Sequence, residues 1–326
     1  MGSSSSVFIK KNISLAREKL GLSFFTTKQT YLLRFRVSVK NTAARKNSIS
    51  VSIPVPLETP YQRRQAGTKY RPIPTDIRTD DVFGNEYASW NIVLASNETR
   101  RFSLTAAVEV SPRKVEMIGL SGIKHTKVVP KEALLFFRPS THLQSNSNRI
   151  KVLSKTIVRG ETDPRLIARK LNRYVVTHLT YGNPIEGLYT SLDALEMPSV
   201  DCGGFNTLFI SFCIAQHLPA RLVSGFWAGY PKSTMHAWAE VLLPDGRWLP
   251  VDPSAENLRT TGRFSKSGRF GFVGSDRIAC SIGCDIPLKF GGKTLSVDIL
   301  QNPIILADRG PTSIKVTKKV VTKRLR

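Results

Sequence analysis

The stretch VDCGGFNTLFISFC, residues 200–213, sets one cysteine just ahead of apolar residues at helical spacing. Phe205, Leu208, Phe209, Phe212 and Cys213 fall at i, i+3, i+4, i+7 and i+8, the pattern of a buried helix face. The run ends near His217, ahead of Pro219. Cys202 therefore sits in a first helical turn. Unpaired backbone N–H groups and the positive end of the helix dipole favour a thiolate there. The same N–H groups can receive an oxyanion. Gly203 and Gly204 follow at once, and glycine inside a helix costs about 1 kcal/mol each. Close approach of a substrate backbone is one reason to keep them. A helix-tip cysteine alone more often packs than reacts, and Cys213, inside the apolar face, reads as packing.

A thiol needs a base, and the segment HAWAEVLLPDGRWLPVDPS offers one. Two strand-like runs, His236–Val241 and Arg247–Asp252, flank Pro-Asp-Gly turn chemistry. With Leu242–Gly246 as the loop, Glu240 faces Trp248, Trp238 faces Pro250 and His236 faces Asp252. Opposed antiparallel residues hold their Cβ atoms about 5 Å apart on one face, so imidazole and carboxylate would meet. A tight Asp245–Gly246 turn would instead put them on opposite faces. Spacing alone leaves both registers open.

These residues must be held by elements of two kinds. Ahead of them the period is two: Tyr31, Leu33, Phe35, Val37 and Val39 alternate with polar neighbours. So do Ile49, Val51 and Ile53, and then Phe102, Leu104, Ala106, Val108 and Val110. That predicts an antiparallel, sandwich-like domain over 28–142, after a poorly defined segment 1–27. Past LQSNSNR at 143–149 the period becomes helical. Asp163 caps a helix with Pro164 at its first position, and Leu166, Ile167, Leu171, Tyr174, Val175 and Leu179 form a stripe. A domain over 150–290 follows, then a β extension and basic tail over 291–326. The class is α+β.

Charge and cysteine content bound the rest. Lys and Arg number 48 against 24 acidic residues, a net charge of +24, which attracts anionic polymers or acidic peptides. The basic residues are scattered, save for six in the last 14, SIKVTKKVVTKRLR. No nucleic-acid motif or aromatic stacking platform is visible. No apolar run of about 18 residues could span a membrane. No signal-peptide core is visible either, so the location expected is cytoplasmic. MGSSSS fits a myristoylation pattern at Gly2 and Ser6, although four serines read more simply as a ragged start. Cys202, Cys213, Cys280 and Cys284 are too few for a disulfide scaffold. Cys280 and Cys284 lack a second pair for zinc and read as structural thiols. His125, His142, His178 and His217 have no partners at metal spacing. No metal or cofactor is expected.

VDCGGFNTLFISFCIAQHLPARLVSGFW and MHAWAEVLLPDGRWLPVDPS together resemble the core of the transglutaminase-like superfamily, with its papain-type fold. Asp-Cys at the helix start, Leu-Pro-Ala-Arg, Val-Ser-Gly, His-Ala-Trp and Trp-Leu-Pro-Val-Asp-Pro carry the likeness. LNRYVVTHLTYG resembles the lead-in helix, and SDRIACSIGCDIPL a segment that follows the core in bacterial members. The resemblance covers about residues 28–290. It implies Cys202 as nucleophile, His236 as base and Asp252 as orienting acid. It also implies an upstream oxyanion donor, for which Tyr181 or Asn183 are candidates. Gly203 and Trp238 are substrate candidates, and Arg221 and Trp248 look like framework positions. Val200 stands where the family commonly has glycine. The function implied is a cysteine-dependent peptidase or amidase working through a thioester on a peptide or protein substrate. A glutamine-directed crosslinking transglutaminase, or a non-catalytic basic binding module, are the alternatives.

Overall fold

A computed structural model describes residues 25–116, 130–263, 266–290 and 292–325. The lipidation pattern at Gly2 and Ser6, and His125, lie outside the described residues.

Alternation builds the first half as predicted. In β1 (Gln29–Asn41) the side chains of Tyr31, Leu33, Phe35, Val37 and Val39 are buried, and in β2 (Asn47–Pro54) those of Ile49, Val51 and Ile53. In β6 (Thr99–Val110), Phe102, Leu104, Ala106, Val108 and Val110 do the same. With β3 (Gln62–Arg71), β4 (Asp76–Thr79) and β5 (Glu86–Leu94) they form two antiparallel sheets around one core.

Both sheets are completed from the far end of the chain. β15 (Ile304–Ala307) pairs with β2, and β16 (Ile314–Arg324) runs along β1 from Asn41↔Ile314 to Tyr31↔Arg324. The sheet orders are β16-β1-β6-β3 and β15-β2-β5-β4. The expected basic tail is thus an edge strand of the sandwich. Its alternation is hard to see because Lys318 interrupts the partly buried Val316 and Val320 on the inner side.

The remainder is built on a third four-stranded antiparallel sheet, order β10-β9-β8-β12, packed with helices. Its strands are β8 (Ala220–Trp227), β9 (Met235–Leu242), β10 (Trp248–Val251) and β12 (Arg277–Ile282). Two short ribbons, β7 (Arg113–Lys114) with β11 (Phe272–Val273) and β13 (Ile286–Phe290) with β14 (Lys293–Val297), flank it. The helices are α1 (Asn148–Val158), α2 (Pro164–His178), α3 (Asp193–Glu196), α4 (Cys202–Ala215) and α5 (Pro253–Thr260).

Asp163 does cap α2, accepting the Arg165 N–H at 2.9 Å with Pro164 at the first position. Leu166, expected in its stripe, is instead 42% exposed. α4 is buried on all sides from Gly203 to Ile214, not on one face, because the other four helices and strands β8 and β9 surround it. A helix apolar all round belongs in the middle of a domain. Phe226, Ala228, Ile278 and Cys280, from β8, the residue after it and β12, pack into the sandwich core. The two parts therefore share a core instead of standing apart. The fold is α+β with antiparallel sheets throughout the named elements.

Candidate active site

The hairpin that carries His236 closes through Pro244, Asp245 and Gly246. Leu243 N–H donates to Arg247 O and Gly246 N–H to Leu243 O, both at 2.9 Å, and Gly246 takes the left-handed φ of 81° that ends such a turn. Pro250 consequently lies opposite Glu240, and Leu249 opposite Val241. This register is two residues away from the expected one, in which Glu240 faced Trp248. A shift of two keeps every side chain on its face. His236 and Asp252 become diagonal neighbours, and His236 Nε2 meets Asp252 Oδ2 at 2.7 Å.

Asp252 is held by more than the imidazole. It caps α5, its Oδ1 accepting from Ala255 N–H at 3.0 Å and from the Ser254 hydroxyl at 3.1 Å. Its Oδ2 also accepts from Arg277 Nη1 at 2.6 Å. Burial alone would raise this carboxyl. The charges of His236 and Arg277 and the hydrogen bonds outweigh it and hold the group well below the usual carboxylate range. Arg277 was not foreseen. Its guanidinium is buried, also reaches Asp276 and Ser267, and lies 4.4 Å over the Trp227 ring. Trp227 in turn stacks on His236 with centroids 4.0 Å apart. The signal was the pair Asp276-Arg277 opening an apolar strand, since a buried charge has to be paired.

Cys202 opens α4 as predicted, but its surroundings differ from the expectation. Asp201 caps the helix, its Oδ1 accepting from Gly203 N–H at 2.9 Å and Gly204 N–H at 3.3 Å. Two first-turn donors are thereby taken, and a carboxylate stands beside the thiol. Burial, then the charges of Asp201 and Asp252, push the thiol up to about 12 against the pull of the Ala237 and Gly203 backbone. Burial also lowers His236, helped by the charges of Arg277 and Lys266 and opposed by Asp252. Both shifts favour the neutral forms of the thiol and the imidazole, not the low-pKa thiolate that helix position alone implied. Asn206 fixes the helix to the strand, its Nδ2 donating to Cys202 O at 2.7 Å and Ala237 O at 3.0 Å.

Cys202 and His236 line one cleft of about 640 Å³, together with Tyr181, Trp227 and Ser254. Arg263, Lys266 and Lys318 line it too. The Lys266 ammonium lies 4.6 Å from the Trp227 and Tyr230 ring centres, and burial brings it down to about 8.

Residues 151–253, which contain Cys202, His236 and Asp252, match the sequence model of the transglutaminase-like superfamily. This segment is a transglutaminase-like core. In fold the chain is similar to the crystal structure named "Putative Cysteine Protease from Cytophaga hutchinsonii", with TM-score 0.59 and 14% identity over 92% of this chain and 91% of that one. A weaker likeness, TM-score 0.37 and 13% identity over 76% of this chain and 96% of the other, is to the periplasmic domain of TgpA from Pseudomonas aeruginosa. No curated protein matches closely enough to count as a relative.

Around this transglutaminase-like core the remaining candidates separate. Tyr181 is in the cleft. Asn183 is turned away, its Nδ2 donating to the Tyr189 hydroxyl at 2.8 Å while that hydroxyl donates back to Asn183 O at 2.7 Å. Gly203 and Gly204 are required by the chain itself. A Cβ on Gly203 would come 2.7 Å from Leu188 Cδ1, and one on Gly204 2.7 Å from Val200 Cβ. Val200 is therefore core packing answered by Gly204. Trp238 is buried next to His236 on the same face of β9, its ring centre 6.1 Å away, and lines a separate cavity with Arg221, Glu240 and Trp248 instead of the cleft.

His142 is not without partners. Its Nδ1 meets Asp285 Oδ1 at 2.6 Å and its Nε2 lies 3.8 Å from Asp298 Oδ2, so the three could share a cation. His178 stacks on Tyr174 at 3.9 Å. Cys280 is buried in the sandwich core and Cys284 in the helical core, so they do not pair.

Proposed function

We propose that this chain is a cysteine-dependent hydrolase of peptide or protein amide bonds, working through a thioester on Cys202. The observation that carries the reading is the His236–Asp252 contact at 2.7 Å, locked by Arg277, on the wall of the cleft that Cys202 also lines.

With Nε2 engaged by Asp252, Nδ1 is the ring nitrogen left for the thiol. The sulfur attacks the carbonyl carbon as its proton passes to His236 Nδ1. The resulting imidazolium is stabilised by the Asp252 carboxylate, which keeps its own negative charge. Asp201 has claimed the Gly203 and Gly204 N–H groups, so the Cys202 backbone N–H is the first-turn donor that cap leaves for the oxyanion. The tetrahedral intermediate collapses, and the leaving amine takes the proton from His236. Water, deprotonated by the same imidazole, then attacks the thioester, releasing the acid and restoring the thiol.

The test is a glutamine-containing peptide incubated with and without a primary amine, with products identified by mass. Cleaved or deamidated peptide under both conditions, absent with Cys202→Ala, is the expected result. An amine adduct as the main product would replace hydrolysis by crosslinking. Unchanged peptide over a broad panel would remove the enzyme reading.

A further inference from the structure

The outward face of sheet β16-β1-β6-β3 carries a charge pattern that the fold does not need. One rung runs Lys319–Arg36–Ser103–Arg71 across all four strands, and the next runs Thr317–Ser38–Arg101. Arg36 stands directly opposite Lys319, and Lys40 directly opposite Lys315. Like charges directly opposed on a sheet destabilise it. Arg36, Arg71, Arg101 and Lys319 are exposed, and among the described residues none of the four has an acidic partner. They line a groove of about 680 Å³.

That groove and the catalytic cleft share one lining residue, Lys318. Lys266 and Arg263 line the cleft together with Lys318 and Cys202. Basic side chains thus line both the groove and the cleft that holds the thiol. The aromatic ring in the groove, Phe102, is only 1% exposed, so no base could stack there as single-stranded nucleic acid requires. An acidic side chain needs no such platform.

We propose that this face docks an acidic stretch of the polypeptide substrate, rich in Asp or Glu, and that Lys318 leads the adjoining segment into the cleft. The proposal rests on the hydrolase reading for what happens in the cleft, but docking can be measured without turnover. Full-length protein carrying Cys202→Ser, so that nothing is consumed, is titrated with a fluorescent oligoglutamate peptide at low salt. The same titration uses that chain with Arg36→Gln, Arg71→Gln, Arg101→Gln and Lys319→Gln added.

The expected outcome is binding that weakens about tenfold or more in the quadruple variant and falls with added salt. The melting temperature should hold or rise, because opposed like charges have been removed. In the otherwise wild-type enzyme, the four substitutions should raise KM for a peptide bearing a glutamate-rich extension. They should leave its kcat, and both constants for the unextended peptide, unchanged. Equal oligoglutamate binding by parent and variant would overturn the proposal. So would tighter, four-residue-dependent binding of a mixed-sequence single-stranded DNA or a phosphatidylserine vesicle. Binding that behaves as expected in a protein turning over neither peptide would remove the hydrolase reading and leave the docking face standing.

Discussion

Along one face of β9 stand His236, Trp238 and Glu240, and the two ends of that row hold two buried carboxylate networks. At one end Asp252 accepts from His236 and Arg277. At the other, Glu240 is gripped by Arg113 and, at 2.8 and 2.6 Å, by Arg221, whose guanidinium also lies 3.8 Å over Trp248. Each network had to overcome the cost of burying charge. They differ in what can titrate. Burial brings Arg113 down to about 10, and burial with the charge of Arg113 brings Arg221 down to about 9, so both arginines stay charged at neutral pH. His236 is an imidazole that can accept and return a proton, and it opens on the cleft. Buried ion pairing therefore does not distinguish a site from a framework. A titratable member with access to solvent does.

The largest effects should fall on opposite quantities at the two ends. Cys202→Ala should abolish turnover, and His236→Ala should cut kcat/KM by on the order of 10²–10⁴, with urea midpoints close to the parent. Glu240→Ala should instead leave two arginine charges facing each other without a partner and cost about 3–5 kcal/mol in urea unfolding. Enzyme that still folds at low temperature should keep most of its turnover. If Glu240→Ala unfolded like the parent while losing activity, the division between site and framework would be wrong.

The three proposed catalytic residues were legible in the sequence because each carried a local signature: a helix start for Cys202, and a Pro-Asp-Gly hairpin for His236 and Asp252. Hairpin parity was legible as one of two options, whereas the register within that parity was not. It depends on the left-handed Gly246 and the resulting three-residue turn, which spacing does not reveal. Arg277 lies 25 residues after Asp252 and reaches it only because β12 pairs with β8, so the local Asp276-Arg277 signal could not name Asp252 as its partner. β16 was hidden for a related reason. Its partner β1 lies at the other end of the chain, and lysines on both sides of an edge strand blur the alternation.

Within the site, the sharpest point of disagreement between helix position and surroundings is Asp201. As a cap it stabilises α4, and as a charge it raises the Cys202 thiol. Asn at this position caps comparably and carries no charge. Asp201→Asn should therefore speed iodoacetamide alkylation of Cys202 by about threefold to tenfold near neutral pH, with little change in stability. Peptide mapping of all four cysteines reads the result. In the parent, alkylation at Cys202 should climb with pH well past neutrality, as a raised thiol requires. A parent thiol already fully reactive at acid pH would show instead that an ion pair with His236 prevails over burial and Asp201.

The smallest effect concerns a second histidine–carboxylate contact, His142 with Asp285, whose residues do not line the cleft. Burial alone would lower His142, but the Asp285 hydrogen bond and the charges of Asp285, Asp298 and Asp193 outweigh it and raise the group. A raised histidine binds its proton more tightly in the folded state. Its contribution is complete below the unfolded value, about 6.5, and is lost as pH climbs through the folded one. Asp285 is shifted the other way: burial would raise it, but the hydrogen bonds from His142 and Ser140 and the charge of His142 lower it. Its share is complete above the unfolded carboxyl value and fades as pH falls through the folded one. Between these limits the pair is intact, and His142→Gln should cost about 1 kcal/mol there. As pH climbs above the unfolded histidine value, the urea midpoint of the parent should decline more steeply than that of His142→Gln, and the two curves should converge. Parallel curves would mean that His142 is neutral in the fold and that its contact with Asp285 is an ordinary hydrogen bond. In contrast with His236, neither outcome should move kcat/KM, because this imidazole faces carboxylates and not the cleft.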